Sequence, residues 1–263
     1  MNVKPLPPPP SRAAPPPATT AFSVTSGRLA GPQRVLLYGP GGIGKSSLAA
    51  LAPVPVFLDL ERGTREIESA RRIELDTWTD LRACLQSPTL DGFSTVVLDT
   101  ATRAEALAVA HTLATVPHEK GHRCQRTEDY GFGKGLQHIY ETFDLLLSDL
   151  DRQVAAGRNV IVIAHDCVSD APNPGGDNFI RYEPHLQSPK SGKGSIRNRV
   201  VQWADHVLFL GYDVISKDGK GRGSGTRTIH PTELPSHVAK SRILADPMPF
   251  LKGDGRIWKE IIR

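Results

Sequence analysis

Along the chain, short continuous apolar runs alternate with stretches whose apolar residues recur at helical spacing. Arg34–Tyr38 (RVLLY), Val54–Leu60 (VPVFLDL), Ser94–Asp99 (STVVLD) and Asn159–Ala164 (NVIVIA) predict strands buried on both faces. Between them, Lys45–Leu51, Thr79–Gln86, Ala101–Thr115 and Leu136–Ala156 predict helices. Val200–Leu210 reads as a turn or short helix and then a strand, His206–Leu210. Thr226–His230 and Val238–Ile243 read as closing strands. This alternation predicts an α/β domain built on a mostly parallel sheet flanked by helices. Two intervals break the rhythm, Cys167–Ser195 and Ser216–Gly225, and both read as loops rich in glycine, serine and charge. No internal repeat is visible.

Composition narrows the picture. At 263 residues and 39% hydrophobic content, the chain can bury a sizeable core. Residues 1–20 hold eight prolines and almost no large apolar side chain, which predicts a disordered tail over 1–22 and a folded domain over 23–263. No apolar run reaches membrane-spanning length, and the Pro-rich start does not read as a secretory signal. Three widely spaced cysteines, Cys84, Cys124 and Cys167, fit a reducing cytoplasm. A net charge of +4 permits an acidic partner, while 6% aromatic content argues against base stacking as the main mode of binding nucleic acid.

The chemistry starts at Gly39-Pro40-Gly41-Gly42-Ile43-Gly44-Lys45-Ser46, with Ser47 following, which satisfies the Walker A pattern between a predicted strand and a predicted helix. Glycines let backbone N–H groups turn inward around a phosphate, and the helix N-terminus adds donors and a favourable dipole. Lys45 suits the β/γ-phosphates, and Ser46 suits Mg2+. Asp99, closing an apolar strand, is the Walker B candidate and the second metal-side oxygen donor. Its other reading is an N-cap for the Ala101 helix, a task that Thr100 could take instead. No [NT]KxD motif for reading guanine is present, so ATP with Mg2+ is the expected cofactor. His118, His122 and Cys124 lack a convincing fourth ligand, so zinc is not expected there.

With these motifs in place the chain resembles the RecA-like P-loop ATPases, and within them phage-encoded proteins of the single-strand annealing and recombination type, an AAA-type ATP-binding family. The resemblance runs from about Pro32 to Ile262. It implies that Glu61, at the end of VFLDLE, polarises the attacking water, with Asp59 as a competitor. The following Arg62-Gly63-Thr64, and EDYGFG over Glu128–Gly133, are also similar to the phage branch. It implies that His165 senses the γ-phosphate, although recombinases more often carry glutamine there. It implies that the segment after His165 contacts DNA through Lys190, Lys193, Arg197 and Arg199, which fall in Leu186–Arg199, a stretch without an acidic residue. It also implies that Lys240 and Arg242, two apart on an edge strand, reach the ATP of a neighbouring subunit in a ring or filament.

The expected activity is therefore ATP hydrolysis stimulated by single-stranded DNA, during phage recombination or annealing in the cytoplasm of a bacterial host. Expected partners are single-stranded DNA, further copies of the chain, and a single-strand-binding or replication protein. Two rivals stand beside this expectation. One is a helicase loader or motor that remodels a replication protein; the other is a small-molecule kinase.

Overall fold

The computed structural model describes residues 24, 26–27, 30–190, 193–217 and 220–262. The Pro-rich tail expected over 1–22 lies outside them. Two units divide the chain, Met1–Ala30 and Gly31–Arg263, and the second carries the fold. Its elements in chain order are β1 (Arg34–Gly39), α1 (Lys45–Ala49), β2 (Pro55–Asp59), β3 (Arg71–Glu74), α2 (Trp78–Leu85), β4 (Thr95–Asp99) and α3 (Ala101–Thr115). Then come α4 (Lys134–Ala155), β5 (Asn159–Ala171), β6 (Phe179–Pro184), α5 (Ile196–Trp203), β7 (His206–Lys217), β8 (Lys220–His230), β9 (Met248–Pro249) and α6 (Arg256–Ile261).

The strands form one sheet in the order β3-β2-β4-β5-β1-β7-β8-β9, with β6 paired to β5. Strands β3, β2, β4, β5, β1 and β7 run parallel, and β6, β8 and β9 are antiparallel additions. Alternation along β1 divides the core between two faces. Leu36 and Tyr38 pack with α2, α3, α4 and α5, whereas Val35 and Leu37 pack with α1 and α6. Burying an aliphatic side chain of this kind stabilises by roughly 1.5–3 kcal/mol. A hydrogen bond from Trp258 Nε1 to the Leu48 carbonyl, 2.8 Å, ties α6 to the end of α1. The expected α/β architecture with helices on both faces of a mostly parallel sheet is present.

Three segments differ from expectation. The interval Cys167–Ser195 is not a structureless loop: β5 runs past the core to Ala171, turns, and pairs with β6. Ser216–Gly225 likewise belongs to a hairpin, in which β7 pairs with β8. Conversely, Val238–Ile243 forms no regular strand and keeps a single antiparallel bridge between Lys240 and Val207. The cause lies at Ser241, whose Oγ accepts from the amides of Ile243 and Leu244 at 3.2 and 2.9 Å and folds the backbone into a turn.

Candidate nucleotide site

Parallel strands bring their C-terminal ends to one edge, where ligands bind in open α/β sheets. Here the register sets Asp59 beside Asp99 and Gly39 beside His165. The loop from Gly39 to Ser46 starts at that edge. A Cβ on Gly39 would stand 2.3 Å from the Leu210 carbonyl oxygen, so the neighbouring strand leaves no room for a side chain. Gly44 holds φ +109°, and a Cβ there would meet the Phe250 ring at 2.9 Å.

Lys45 is buried, and its ammonium donates to the carbonyls of Gly39 and Pro40 at 2.7 and 2.9 Å. Burial pulls its pKa down, while Asp166, Asp99 and Glu61 oppose that shift. Ser46 Oγ donates to Asp99 Oδ2 at 2.7 Å. Burial pushes the Asp99 carboxyl up to about 6, with the Ser46 hydrogen bond opposing it and the charges of Asp59 and Glu61 adding to it. A hydroxyl and a carboxylate side by side are the hard oxygen donors that Mg2+ takes, so these two residues fit that ion. The helix cap falls to Thr100, whose side chain accepts from the Arg103 amide. Asp99 is thus left to face the loop.

Glu61 lies across the same cavity. Thr100 Oγ1 donates to its Oε1 at 2.6 Å, and His165 Nε2 stands 3.2 Å from its Oε2. Asp59 has a different environment. It is buried and accepts from the amides of Glu61, Gly63 and Thr64 and from the Thr64 hydroxyl. Those four bonds fold the turn that presents Glu61, and they occupy the lone pairs that a general base needs. His165 is fixed through its own amide, which donates to Thr102 Oγ1 at 3.1 Å. Lys45, Ser46, Glu61, Asp99 and His165 line one cavity of about 440 Å3, together with Lys252 from the C-terminal segment. Sequence reasoning misses Lys252 and the Thr100 hydrogen bond, because each depends on a tertiary approach that carries no local pattern.

The other expected residues fall elsewhere. Arg197 and Arg199 sit on α5 rather than on a loop. Arg197 is ion-paired with Glu183 and touches Cys167 Sγ at 3.3 Å, and Arg199 Nε donates to Asp144 at 2.7 Å. Lys190 and Lys193 are exposed, and neither is in an ion pair with a described residue. Lys240 Nζ donates to the Gln202 carbonyl at 3.2 Å, and Arg242 lies 3.5 Å from Asp205. The Asp205 amide bonds to the Arg34 carbonyl, so this pair flanks the start of β1, at the opposite end from the phosphate loop. His118 and His122 stack at 4.4 Å, and Cys124 is buried.

No curated protein matches the chain. Among solved structures it is similar to a KaiC-like protein of the hyperthermophilic archaeon Pyrococcus horikoshii OT3, at 15% identity and a TM-score of 0.42, over 85% of this chain and 87% of that one. Residues 31–243 match the family described as AAA domain, a stretch that holds the phosphate loop, Glu61, Asp99 and His165. The chain therefore belongs to the AAA-domain family of P-loop ATPases.

Proposed function

We propose that this protein binds Mg·ATP at the Gly39–Ser47 loop and hydrolyses it, and that single-stranded DNA in phage recombination or annealing is what the cycle acts on. The carrying observation is the convergence of the Ser46–Asp99 pair and the Glu61–Thr100–His165 group on one cavity. Water held by Glu61 attacks the γ-phosphorus, the bond to the β–γ bridging oxygen breaks, and the water proton passes to Glu61. Thr100 and His165 act as positioning residues for that carboxylate. Lys45 exchanges two carbonyl partners for phosphate oxygens, which makes its hydrogen bonds charge-assisted at both ends. Ser46 and Asp99 would hold Mg2+, which would neutralise charge on the phosphates.

The DNA assignment draws on Lys190 and Lys193, the two exposed cations of the basic stretch. Lys240 and Arg242 are proposed to act on a neighbouring subunit's nucleotide. A second reading, a motor that remodels a protein partner, is favoured by a different observation. Val168, Ile180, Tyr182, Tyr212, Val214 and Leu234 are exposed on or beside the two hairpins beyond the sheet edge. Steady-state hydrolysis measured with and without single-stranded DNA tests the proposal. A rise with DNA supports it. Turnover indifferent to DNA and raised by a replication protein would shift the assignment to the second reading, and no hydrolysis under any condition would overturn both.

A further inference from the structure

The cavity around Lys45 carries three carboxylates on its wall, Glu61, Glu66 and Asp99, and two lysines, Lys45 and Lys252. A polyphosphate entering a site of that composition meets Glu61 and Glu66 even where Mg2+ offsets Asp99, and a second lysine opposes those charges. Lys252 lies in the turn that follows β9, beyond residues 31–243 that match the family. This turn is fastened to the phosphate loop at several points. The Phe250 amide bonds to the Arg227 carbonyl at 2.8 Å, and the Arg227 guanidinium stacks on the Phe250 ring. Arg227 also donates to the Ile43 carbonyl at 2.7 Å, inside the loop itself. On the far side, Asp254 closes the turn through its amide to Leu251 and pairs with Arg256. Lys252 itself is exposed, and no carboxylate among the described residues pairs with it.

A second, smaller cavity of about 170 Å3 adjoins the first, and both have Gly42, Gly44, Ser47 and Lys252 on their walls. Lys252 therefore stands at the junction of the two, beside the loop that cradles phosphate. We infer that Lys252 is a nucleotide-binding residue acting within its own chain, with its ammonium on the phosphates nearest the sugar, because the smaller cavity it shares with Gly44 and Ser47 lacks Glu61, Asp99 and His165, the groups assigned to the γ-phosphate side. The inference rests on the nucleotide assignment of the Gly39–Ser47 loop. It gives the site a cation from its own chain, distinct from Lys240 and Arg242 at the other end of the strands.

An interaction with the inner phosphates is made equally in substrate and transition state, so its removal raises KM and leaves kcat almost untouched. Titration of the full chain with MgATP and with MgADP, beside steady-state hydrolysis, tests this. Lys252→Met keeps the apolar stem and removes the charge. It is expected to weaken both nucleotides by roughly tenfold, as for the loss of a hydrogen bond to a charged group, with kcat within about threefold of the parent. Lys252→Arg is expected to restore most of the affinity. A merely structural turn residue would not give equal losses for ATP and ADP together with rescue by arginine. ADP affinity unchanged in Lys252→Met, while Lys45→Ala abolishes binding, would overturn the inference and leave the phosphate loop intact. An unmodified chain that binds neither nucleotide would overturn the loop assignment, and this inference with it.

Discussion

Glu61 and Asp59 stand two residues apart at the end of one strand, and only the family resemblance prefers Glu61 as the base, with Asp59 as its competitor. Their hydrogen bonds separate them. Asp59 spends both oxygens on the turn behind Glu61, whereas Glu61 faces the cavity with Thr100 and His165 against it. Glu61→Gln is expected to bind ATP and lose at least ~100-fold in turnover. Asp59→Asn is expected to lower the melting temperature as well, because its turn loosens. Near-normal hydrolysis by Glu61→Gln would move the role elsewhere. The basic stretch divides in the same way. Arg197 and Glu183 are 14% and 10% exposed at their side chains, a part-buried pair. Without Arg197, Glu183 keeps Arg181 and the Ser169 hydroxyl, so Arg197→Ala is expected to destabilise by roughly 1.5–3 kcal/mol, the scale of a hydrogen bond to a charged group, in denaturant titration. Lys190→Ala with Lys193→Ala is expected to leave stability within about 0.5 kcal/mol. That double change should instead lower the salt slope of single-stranded DNA binding by roughly 0.7 for each phosphate no longer neutralised. An unaltered slope removes those lysines from the DNA surface. A tally of basic residues cannot tell the two classes apart, because the acids that pair with the arginines, Asp144 and Glu183, lie outside the basic stretch.

The elements legible in the sequence are those with the strongest patterns. The first three apolar strands, the start of the fourth, and α3 are predicted with ends close to those observed, since continuous apolar runs and a long helical period have few alternatives; the fourth runs seven residues past its predicted end at Ala164. Strand β3 escapes the pattern. Its sequence, Arg71-Arg72-Ile73-Glu74, is a short edge with one apolar residue, and its pairing to β2 supplies what its side chains do not. The hairpin arms read as loops because glycine and charge are poor strand formers, whereas a two-stranded ladder that projects from the sheet has no core face to fill. The phosphate loop carries the sharpest prediction at this scale. Gly44→Ala would place a Cβ at positive φ against Phe250 and Arg227. Backbone strain of about 1–3 kcal/mol and displacement of both side chains are expected to lower the melting temperature and weaken ATP binding together. A variant with the parent's stability and affinity would show that this packing is loose.

For the whole molecule, the distance between the two ends of the sheet matters. Arg242 beside Asp205 is about five residues of strand from Gly39, roughly 16 Å. It cannot serve its own phosphate loop without a large rearrangement. Arg242→Ala is therefore expected to bind ATP as the parent does and to lose hydrolysis only where copies assemble. Mixed with inactive Lys45→Ala chains, it should regain turnover at interfaces that join an intact loop to an intact arginine. Normal hydrolysis by Arg242→Ala would end that assignment. A pH dependence belongs to the region where the second hairpin meets the core. Burial holds both His230 and His237 below the ordinary 6.5, and a charge on His230 further opposes protonation of His237, their rings being 4.6 Å apart. Folding keeps them neutral, so their contribution is complete above 6.5 and is lost as pH falls through the lowered values. Thermal melts of the double variant His230→Gln/His237→Gln should show less loss of stability than the parent between about pH 7 and about pH 5. Equal slopes would assign the acid sensitivity elsewhere. Finally, β5 passes without interruption from the centre of the sheet, through His165, to Ala171 at the far end of its hairpin. From His165 outward it is an arm of about six residues, roughly 20 Å long, with its pivot against Glu61. A tilt of roughly 10° at that pivot would sweep the tip through about 3.5 Å, so a small shift of His165 against Glu61 would be enlarged at the surface to a displacement the size of a hydrogen bond.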